Sequence, residues 1–197
     1  MRTLLLALCA CLLMTLAAQA QFDAALGFGT VTTPNAADAT GDHFPQSVGS
    51  GTFIAFSADY LLTHHLGFGG EVSWRASQNN YAGVAPFRPI FYDFNAVYAP
   101  PLGKHAAAEL QAGIGAESAR FYQNFTVSCN QFTGSCTNYV SSNHFMGHFG
   151  AGLRYYVHGN VFIRPEAHLY LVRNNFEFSG ARATRFGASI GYSFGRQ

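Results

Sequence analysis

Beyond about residue 20, apolar residues alternate with polar or small residues, and no stretch keeps the period of a helix. A period of two places successive side chains on opposite faces of a β-strand. The clearest run has Val72 and Trp74 on one parity and Glu71 and Arg75 on the other. This pattern predicts an all-β chain whose strands have two unlike faces.

Eight such runs follow one another along the chain, and in each the alternate residues that form the apolar face carry no charge. The position of a residue in this alternation is called its parity below. The runs begin at or near Phe22, Ile54, Phe68, Ile90, Ala108, Phe145, Ile163 and Phe186. The other parity carries most of the charged residues: Asp23, Asp59, Glu71, Arg75, Asp93, Glu109, Glu117, Arg154, Arg164, Glu166 and Arg185. Charged residues make up only 11% of the chain, which is sparse for a soluble protein.

These two faces are the reverse of those in a soluble ligand-binding barrel, whose apolar side chains point inward. A closed barrel with its apolar face outward suits a lipid environment, and its narrow lumen is filled by the small and charged residues. A shift of this strand by one residue against its neighbours would point Glu71 and Arg75 toward lipid, so the strand register is strongly specified. Three arginines, Arg88, Arg120 and Arg182, fall on the outward parity near strand ends, where the membrane interface tolerates them.

The connections between the runs alternate in length. Long or polar segments span residues 32–50, 77–86, 121–142 and 173–181, whereas tight turns span 62–66, 99–104 and 157–160. The sequence therefore predicts an eight-stranded antiparallel up-and-down transmembrane β-barrel, with short periplasmic turns and longer extracellular loops. Pro89 and Pro165 fall inside strands, where we expect bulges.

The first 20 residues have the pattern of a secretory signal peptide. Arg2 precedes an apolar run, and Ala18-Gln19-Ala20 fits a cleavage site between Ala20 and Gln21. The predicted division is a cleaved signal peptide over residues 1–20 and one barrel domain over 21–197. Without Arg2 the chain has ten basic and ten acidic residues, a balance that does not favour a nucleic-acid partner.

Two cysteines, Cys129 and Cys136, remain after the expected cleavage, both in a polar segment. In an exported chain this arrangement predicts a disulfide bond. The bond would fix an outer loop with exposed aromatic residues. Such a loop suits contact with an extracellular ligand, receptor or phage, or is only protected against proteolysis.

Inward charges at the middle depths of the strands form a candidate lumen charge network. Its predicted members are Glu71, Arg75, Asp93, Glu109, Arg154, Arg164, Glu166 and Arg185. Ion pairs are expected because unpaired buried charge is costly. The network either plugs the lumen or acts as a gate whose pairs exchange partners.

The histidines give no convincing metal set, and no cofactor motif is found. Some barrels of this size modify lipid with a Ser two residues after a His, but no histidine here has Ser at that position. A Ser–His–acid set could still assemble from Ser141 or Ser142 near His144. We expect a protein without catalysis or cofactors.

The eight dyad-repeat strands and the final run Ala188, Ile190, Tyr192 and Phe194 resemble small outer-membrane barrels of the OmpA and OmpX type. The resemblance implies a location in the bacterial outer membrane among its lipids, and recognition of the last strand by the barrel-assembly machinery. It also permits a gate made of lumen ion pairs. Three functions remain open: a structural or surface-interaction barrel with a plugged lumen, a narrow low-conductance pore, and a lipid-modifying enzyme.

Overall fold

The computed structural model of the chain describes residues 21–33, 48–81, 85–123, 128–129, 136–175, 178 and 181–195. The predicted signal peptide lies outside the described residues, as does most of the first long connection. The strands are β1 (Gln21–Thr32), β2 (Thr52–Leu61), β3 (Leu66–Arg75), β4 (Asn79–Tyr81), β5 (Ala85–Tyr98), β6 (Ala106–Tyr122), β7 (Ser128–Cys129), β8 (Cys136–Thr137), β9 (Tyr139–His158), β10 (Val161–Val172) and β11 (Arg182–Phe194). No helix in the described ranges is long and apolar enough to cross a membrane.

Eight of these strands close into an antiparallel ring in the order β1, β2, β3, β5, β6, β9, β10 and β11. The register of β1 with β11 pairs Phe22 with Phe194, and β3 pairs directly with β5, so the sheet has no open edge there. The predicted eight-stranded antiparallel barrel is confirmed. Every turn between neighbouring strands at one end is short, and the longer connections lie at the other end.

The two faces of the wall follow the predicted parities. Phe94 and Ile114 are 61% and 60% exposed on the outside, whereas Glu109 and Glu117 on the opposite parity of β6 are buried. Every acidic residue that the structure describes points into the lumen. The apolar outside and the charged inside are thus set by the period of two, because each strand keeps its register around the ring.

The third long connection differs from its predicted bounds of 121–142. β6 continues to Tyr122 and β9 begins at Tyr139, and these two residues are cross-strand partners. The wall therefore extends beyond the other strands as a protruding hairpin that carries the small β7–β8 pair. Tyr122 and Tyr139 pack against each other with ring centroids 6.0 Å apart, which stabilises the extension.

The two strand prolines lie where the hydrogen-bond ladders are interrupted. The β3–β5 ladder ends at Ile90 and the β4–β5 ladder ends at Phe87, so Pro89 lies between them on that side. Pro165 lies between the Ile163–Tyr155 and Glu166–Gly152 pairs of the β9–β10 ladder. A proline removes no ladder bond at such positions. The bulge predicted near Pro165 is found at Val161 and Phe162 instead.

Candidate functional site in the barrel lumen

Arg154 on β9 is the first centre of the lumen site. It is 1% exposed and donates from Nη2 to Oδ2 of Asp59 at 3.0 Å. It also donates from Nη1 to Asp23 and from Nε to Glu109. The three acceptors come from β2, β1 and β6, so one guanidinium connects four strands across the lumen.

Arg164 on β10 is the second centre. Its Nη1 donates to Oε1 of Glu109 at 2.5 Å, and its Nε donates to Oε2 of Glu166 at 2.7 Å. The hydroxyls of Ser57 and Ser189 accept further hydrogen bonds at 2.9 and 3.1 Å. A buried guanidinium needs such acceptors, because each unsatisfied donor in the interior is costly.

Arg185 on β11 completes the set. Its Nη2 donates to Oε2 of Glu71 at 2.7 Å and to Oε1 of Glu166 at 3.1 Å. The hydroxyl of Tyr170 donates to the other oxygen of Glu71 at 3.2 Å. Glu166 thus joins Arg185 to Arg164, just as Glu109 joins Arg164 to Arg154.

These contacts form one connected cluster, called the lumen charge network below. Its members are Asp23, Asp59, Glu71, Glu109, Arg154, Arg164, Glu166 and Arg185. All eight side chains are at least nine-tenths buried. Removing one partner from such a cluster strands a buried opposite charge, which is the most expensive way to alter it.

Glycines on the inward parity make room for the large arginines. A Cβ atom at Gly152 would lie 3.0 Å from Cγ and 3.1 Å from Cδ of Arg164. Gly69 lies against the carboxylate of Asp59, where a Cβ atom would clash with Oδ1. The alternation of glycine with charge on the inward face therefore reflects the space that each guanidinium needs.

Two of the sequence-predicted members lie outside this network. Asp93 accepts from Nδ2 of Asn95 at 2.5 Å and lies 3.4 Å from Nδ1 of His148. Arg75 is the cross-strand partner of Phe53 and donates to Oγ of Ser50 at 3.5 Å, with no ion pair in the described residues. Arg75 is not part of the lumen charge network because it lies closer to the long-loop end than the carboxylates of that network do. Asp23 and Asp59 join the network instead.

A stack of rings separates the network from the long-loop end. The rings of Phe91 and Tyr170 are parallel within 10° at 4.7 Å, and His148 stacks on Tyr170 at 5.1 Å. Phe91 and Tyr170 also belong to an apolar cluster that continues toward the long-loop end and is called the apolar plug below. Its members are Val31, Val48, Phe53, Phe87, Phe91, Ala119, Met146, Tyr170, Val172, Phe178 and Ala183. The sequence predicted a lumen filled by polar and charged side chains, whereas its outer part combines this apolar cluster with a few buried polar groups such as Glu117 and Arg75.

At the short-turn end a cavity of about 420 Å³ opens between the turns. Its lining includes His64, His65 and Lys104 at the mouth, and Arg154 and Tyr156 deeper inside. Arg154 belongs to the lumen charge network, so the cavity ends where the network begins. Water entering from this end meets charged side chains first and then the apolar plug.

The predicted disulfide between Cys129 and Cys136 is confirmed. The two residues are cross-strand partners in the β7–β8 pair, with Cα atoms 4.0 Å apart. Both are exposed, and the pair sits at the tip of the long β6–β9 hairpin. The bond therefore fixes the outermost described part of the chain.

Comparison with known proteins agrees with this geometry. A family model described as outer membrane protein beta-barrel domain matches residues 3–194. The chain belongs to the outer membrane β-barrel family. No curated protein matches it in sequence.

Solved structures of similar shape are small outer membrane barrels of low sequence identity. Ail of Yersinia pestis, in complex with the heparin analogue sucrose octasulfate, is 13% identical with a TM-score of 0.56, covering 89% of this chain and 99% of that chain. Neisserial surface protein A is 15% identical with a TM-score of 0.58, covering 89% and 97%. The amino-terminal barrel domain of Pseudomonas aeruginosa OprF is 16% identical with a TM-score of 0.52, covering 89% and 98%. At these identities the likeness concerns the fold.

As an outer membrane barrel, the chain faces lipid with its apolar parity, and aromatic residues gather near the short-turn end. Ring contacts of 5.6 to 5.9 Å join Tyr60 to Phe68, Phe68 to Phe94, and Phe22 to Phe194. Aromatic side chains are favoured at membrane interfaces. These contacts therefore mark the periplasmic border of the membrane-spanning wall.

Two constellations of this outer membrane barrel bear on catalysis and metal binding. Oγ of Ser142 lies 3.1 Å from Nε2 of His144, so the structure brings together one Ser–His pair considered from the sequence. Ligand atoms of Glu71, Glu166 and His168 lie within 4.8 Å of one another. The same two carboxylates accept from Arg185, so a guanidinium already neutralises this cluster.

Proposed function

We propose that the protein is a non-catalytic outer membrane barrel with a plugged lumen and a structural or surface-interaction role. The observation that carries this proposal is the succession of two closures along one lumen. The lumen charge network connects the wall near the periplasmic end, and the apolar plug fills the extracellular end. Eight strands leave little interior room beyond side chains, and here that room is taken by large residues.

Single-channel recording of the refolded mature protein in a planar bilayer tests this proposal. Folding is first checked by heat-modifiable gel migration. A plugged barrel is expected to leave the bilayer silent. Discrete openings from the unaltered protein would instead support a pore.

The second candidate function is a narrow pore gated by the network. It is favoured by the shared carboxylates, because Glu109 and Glu166 each bind two guanidiniums and could release one without becoming unpaired. A gate predicts openings whose frequency changes in Glu71→Gln or Arg164→Gln. If the unaltered protein conducts and neither substitution alters the openings, this gate is wrong.

The surface-interaction part of the proposal concerns the disulfide-bonded tip of the β6–β9 hairpin. Among the described residues it projects furthest from the wall, and the Cys129–Cys136 bond reduces the entropy that it would lose on binding a partner. Ail, a barrel of similar fold, was solved with a heparin analogue. We therefore expect an extracellular ligand on the loops. Heparin-column retention of the refolded protein, compared with Cys129→Ser/Cys136→Ser, is a first test for an anionic glycan.

The barrel-assembly machinery is the proposed partner of the last strand. β11 ends with Phe194 on the lipid-facing parity, and Gly195 follows with φ of 76°. A chain shortened after Phe194 would end on the aromatic residue itself. If the machinery recognises that residue, the shortened chain should insert at least as efficiently as the full chain in cells.

A further inference from the structure

Two arginines lie side by side on the lipid-facing wall near its extracellular border. Arg88 of β5 and Arg120 of β6 are direct cross-strand partners. Residues in such pairs have Cβ atoms about 4.5–5.5 Å apart, and like charges there destabilise a sheet. Every acidic residue in the described ranges points into the lumen, so no described carboxylate offsets this pair. The pair therefore has no counter-charge among the described residues.

The depth of the pair is marked by the next row of the wall toward the bilayer centre. That row contains Trp74, Ile90, Ser118 and Asn143, which are partners across four neighbouring strands. Trp74 is the chain's single tryptophan, and tryptophan is favoured at membrane interfaces. Arg88 and Arg120 lie two residues further out on their strands, or roughly 6.6 Å at the usual rise. This is the level of lipid headgroups.

The two guanidiniums extend away from each other. Arg88 donates from Nη2 to the carbonyl oxygen of Ala76 at 3.3 Å, toward β3. Arg120 lies 4.9 Å over the ring of Tyr139, toward β9. The Nε atoms of both arginines are buried and have no hydrogen-bond partner in the described part of the chain. Each guanidinium thus has one donor that no described residue satisfies.

On the β9 side of Arg120, the row of cross-strand partners continues with another hydrogen-bond donor. Its partner on β9 is Ser141, whose side chain is exposed. A row of two guanidiniums and a hydroxyl, without a carboxylate, is complementary to a phosphate group. Arginine forms two parallel hydrogen bonds to phosphate, and such charge-assisted bonds are about twice as strong as neutral ones.

We propose that Arg88 and Arg120 bind the phosphate group of a phosphorylated glycolipid in the outer leaflet. A lipid is favoured over free phosphate because the wall becomes apolar from the second row below the pair onward. The second row below the arginines contains Val72, Tyr92, Ala116 and Phe145, which can contact acyl chains of the same molecule. The phosphate would neutralise the like charges and anchor the β5–β6 hairpin at a fixed depth.

The test measures lipid retention by native mass spectrometry of the refolded protein in maltoside micelles. Three probes are compared: bisphosphorylated lipid A, lipid A without its phosphates, and inorganic pyrophosphate. We expect retention of the first only. Equal retention of both lipid A forms would show that acyl contact suffices and would overturn the proposal. Retention of pyrophosphate at the same concentration would indicate a general anion site and would equally overturn it.

The variants are Arg88→Gln, Arg120→Gln and their combination, with Arg182→Gln as the control. Arg182 is likewise on the outward parity near a long loop, but it is exposed where Arg88 and Arg120 are half-buried, and its cross-strand partner is Leu171. Each basic residue near an anionic surface contributes about a fivefold preference, so the double variant should retain at least about tenfold less lipid. The control should retain as much as the unaltered protein. Loss of retention in Arg182→Gln as well would mean that any surface arginine serves.

Thermal unfolding gives a second test, because the double substitution should have different effects on stability without and with lipid. Without lipid, the double variant should be at least as stable as the unaltered protein, since the like-charge pair is gone. With bisphosphorylated lipid A, the unfolding temperature should rise for the unaltered protein but not for the double variant. An equal rise in both would refute the assignment to this pair. If the double variant does not refold, the single variants Arg88→Gln and Arg120→Gln test the assignment, and the three-probe comparison tests the need for the phosphates.

Discussion

Nη1 of Arg164 donates to Oε1 of Glu109 at 2.5 Å, although their strands are not neighbours in the barrel wall. β9 lies between β10 and β6, so this bond passes over β9 at Gly152 on the inner face of the wall. Through its other oxygen, Glu109 also accepts from Arg154. One carboxylate therefore holds two guanidiniums, as Glu166 also does, so the loss of Glu109 removes an acceptor from both Arg154 and Arg164.

The first prediction follows from this position. Glu109→Ala leaves Arg154 and Arg164 buried with fewer acceptors, and removal of one partner from a buried ion pair costs about 3–5 kcal/mol. We expect the free energy of unfolding to fall by that amount. Urea titration in lipid vesicles measures it, with fluorescence of the single tryptophan, Trp74, as the signal.

The matched control for this substitution is Gln111→Ala on the same strand and face. Gln111 is also buried, and its Nε2 donates to Oε1 of Glu109 at 2.7 Å. Loss of one neutral donor should cost about 1 kcal/mol. If the two variants were equally destabilised, the loss in Glu109→Ala would reflect packing rather than charge.

The second prediction tests the orientation of the faces. Ile114→Arg puts a charge on the lipid-facing side of β6, where Arg costs roughly 2–4 kcal/mol near the membrane midplane. Leu102→Arg is the control, because Leu102 is exposed to a similar degree, 62% against 60%, but lies in a periplasmic turn. Refolding yield into vesicles should fall for Ile114→Arg only. Equal yields would mean that β6 does not face lipid as described.

The third prediction concerns the apolar plug. The combined substitution Phe91→Ala and Tyr170→Ala removes the stacked pair whose ring centroids are 4.7 Å apart. With that stack gone, water from the extracellular end can reach the lumen charge network. Because the lumen charge network still closes the periplasmic half, we expect discrete openings in a planar bilayer when these substitutions are combined with Arg164→Gln, and none in the unaltered protein.

Phe162→Ala provides the comparison for this experiment. Phe162 is fully buried in the lumen, but it packs with Tyr156 near the short-turn end, away from the plug. Its removal should leave the bilayer silent. Openings in Phe162→Ala, or silence in the combined variant, would show that the plug is not one of the barriers.

Much of the wall could be predicted from the sequence because successive side chains of a strand point to opposite faces, so alternation in the sequence shows which residues share a face. The parities of β3, for example, place Val72 outside and Glu71 inside in agreement with the structure. The ends of strands are less predictable, since polar residues suit both a loop and a hairpin that extends into water. For this reason the extension of β6 to Tyr122 was missed.

Membership of the lumen charge network could be predicted only in part. Parity shows that a side chain enters the lumen, but its depth depends on the tilt of the strand and its register with neighbours. Asp23 and Asp59 lie near strand ends in the sequence, yet the stagger of the ring brings them to Arg154. Arg75, predicted to lie at the middle depth of its strand, lies at the level of the apolar plug instead.

The last prediction separates the disulfide-bonded tip from the barrel. In the chain-entropy model, a disulfide bond that closes the short ring from Cys129 to Cys136 stabilises the folded hairpin by about 2–3 kcal/mol. The tip projects from the wall, so this energy stabilises the loop locally rather than the membrane-spanning strands. In Cys129→Ser/Cys136→Ser, limited proteolysis followed by mass spectrometry should show faster cleavage within residues 123–138. The urea midpoint reported by Trp74 should stay unchanged, and the unaltered protein treated with a reducing agent should behave like the variant. A lower urea midpoint in the variant would instead mean that the tip supports the barrel wall itself.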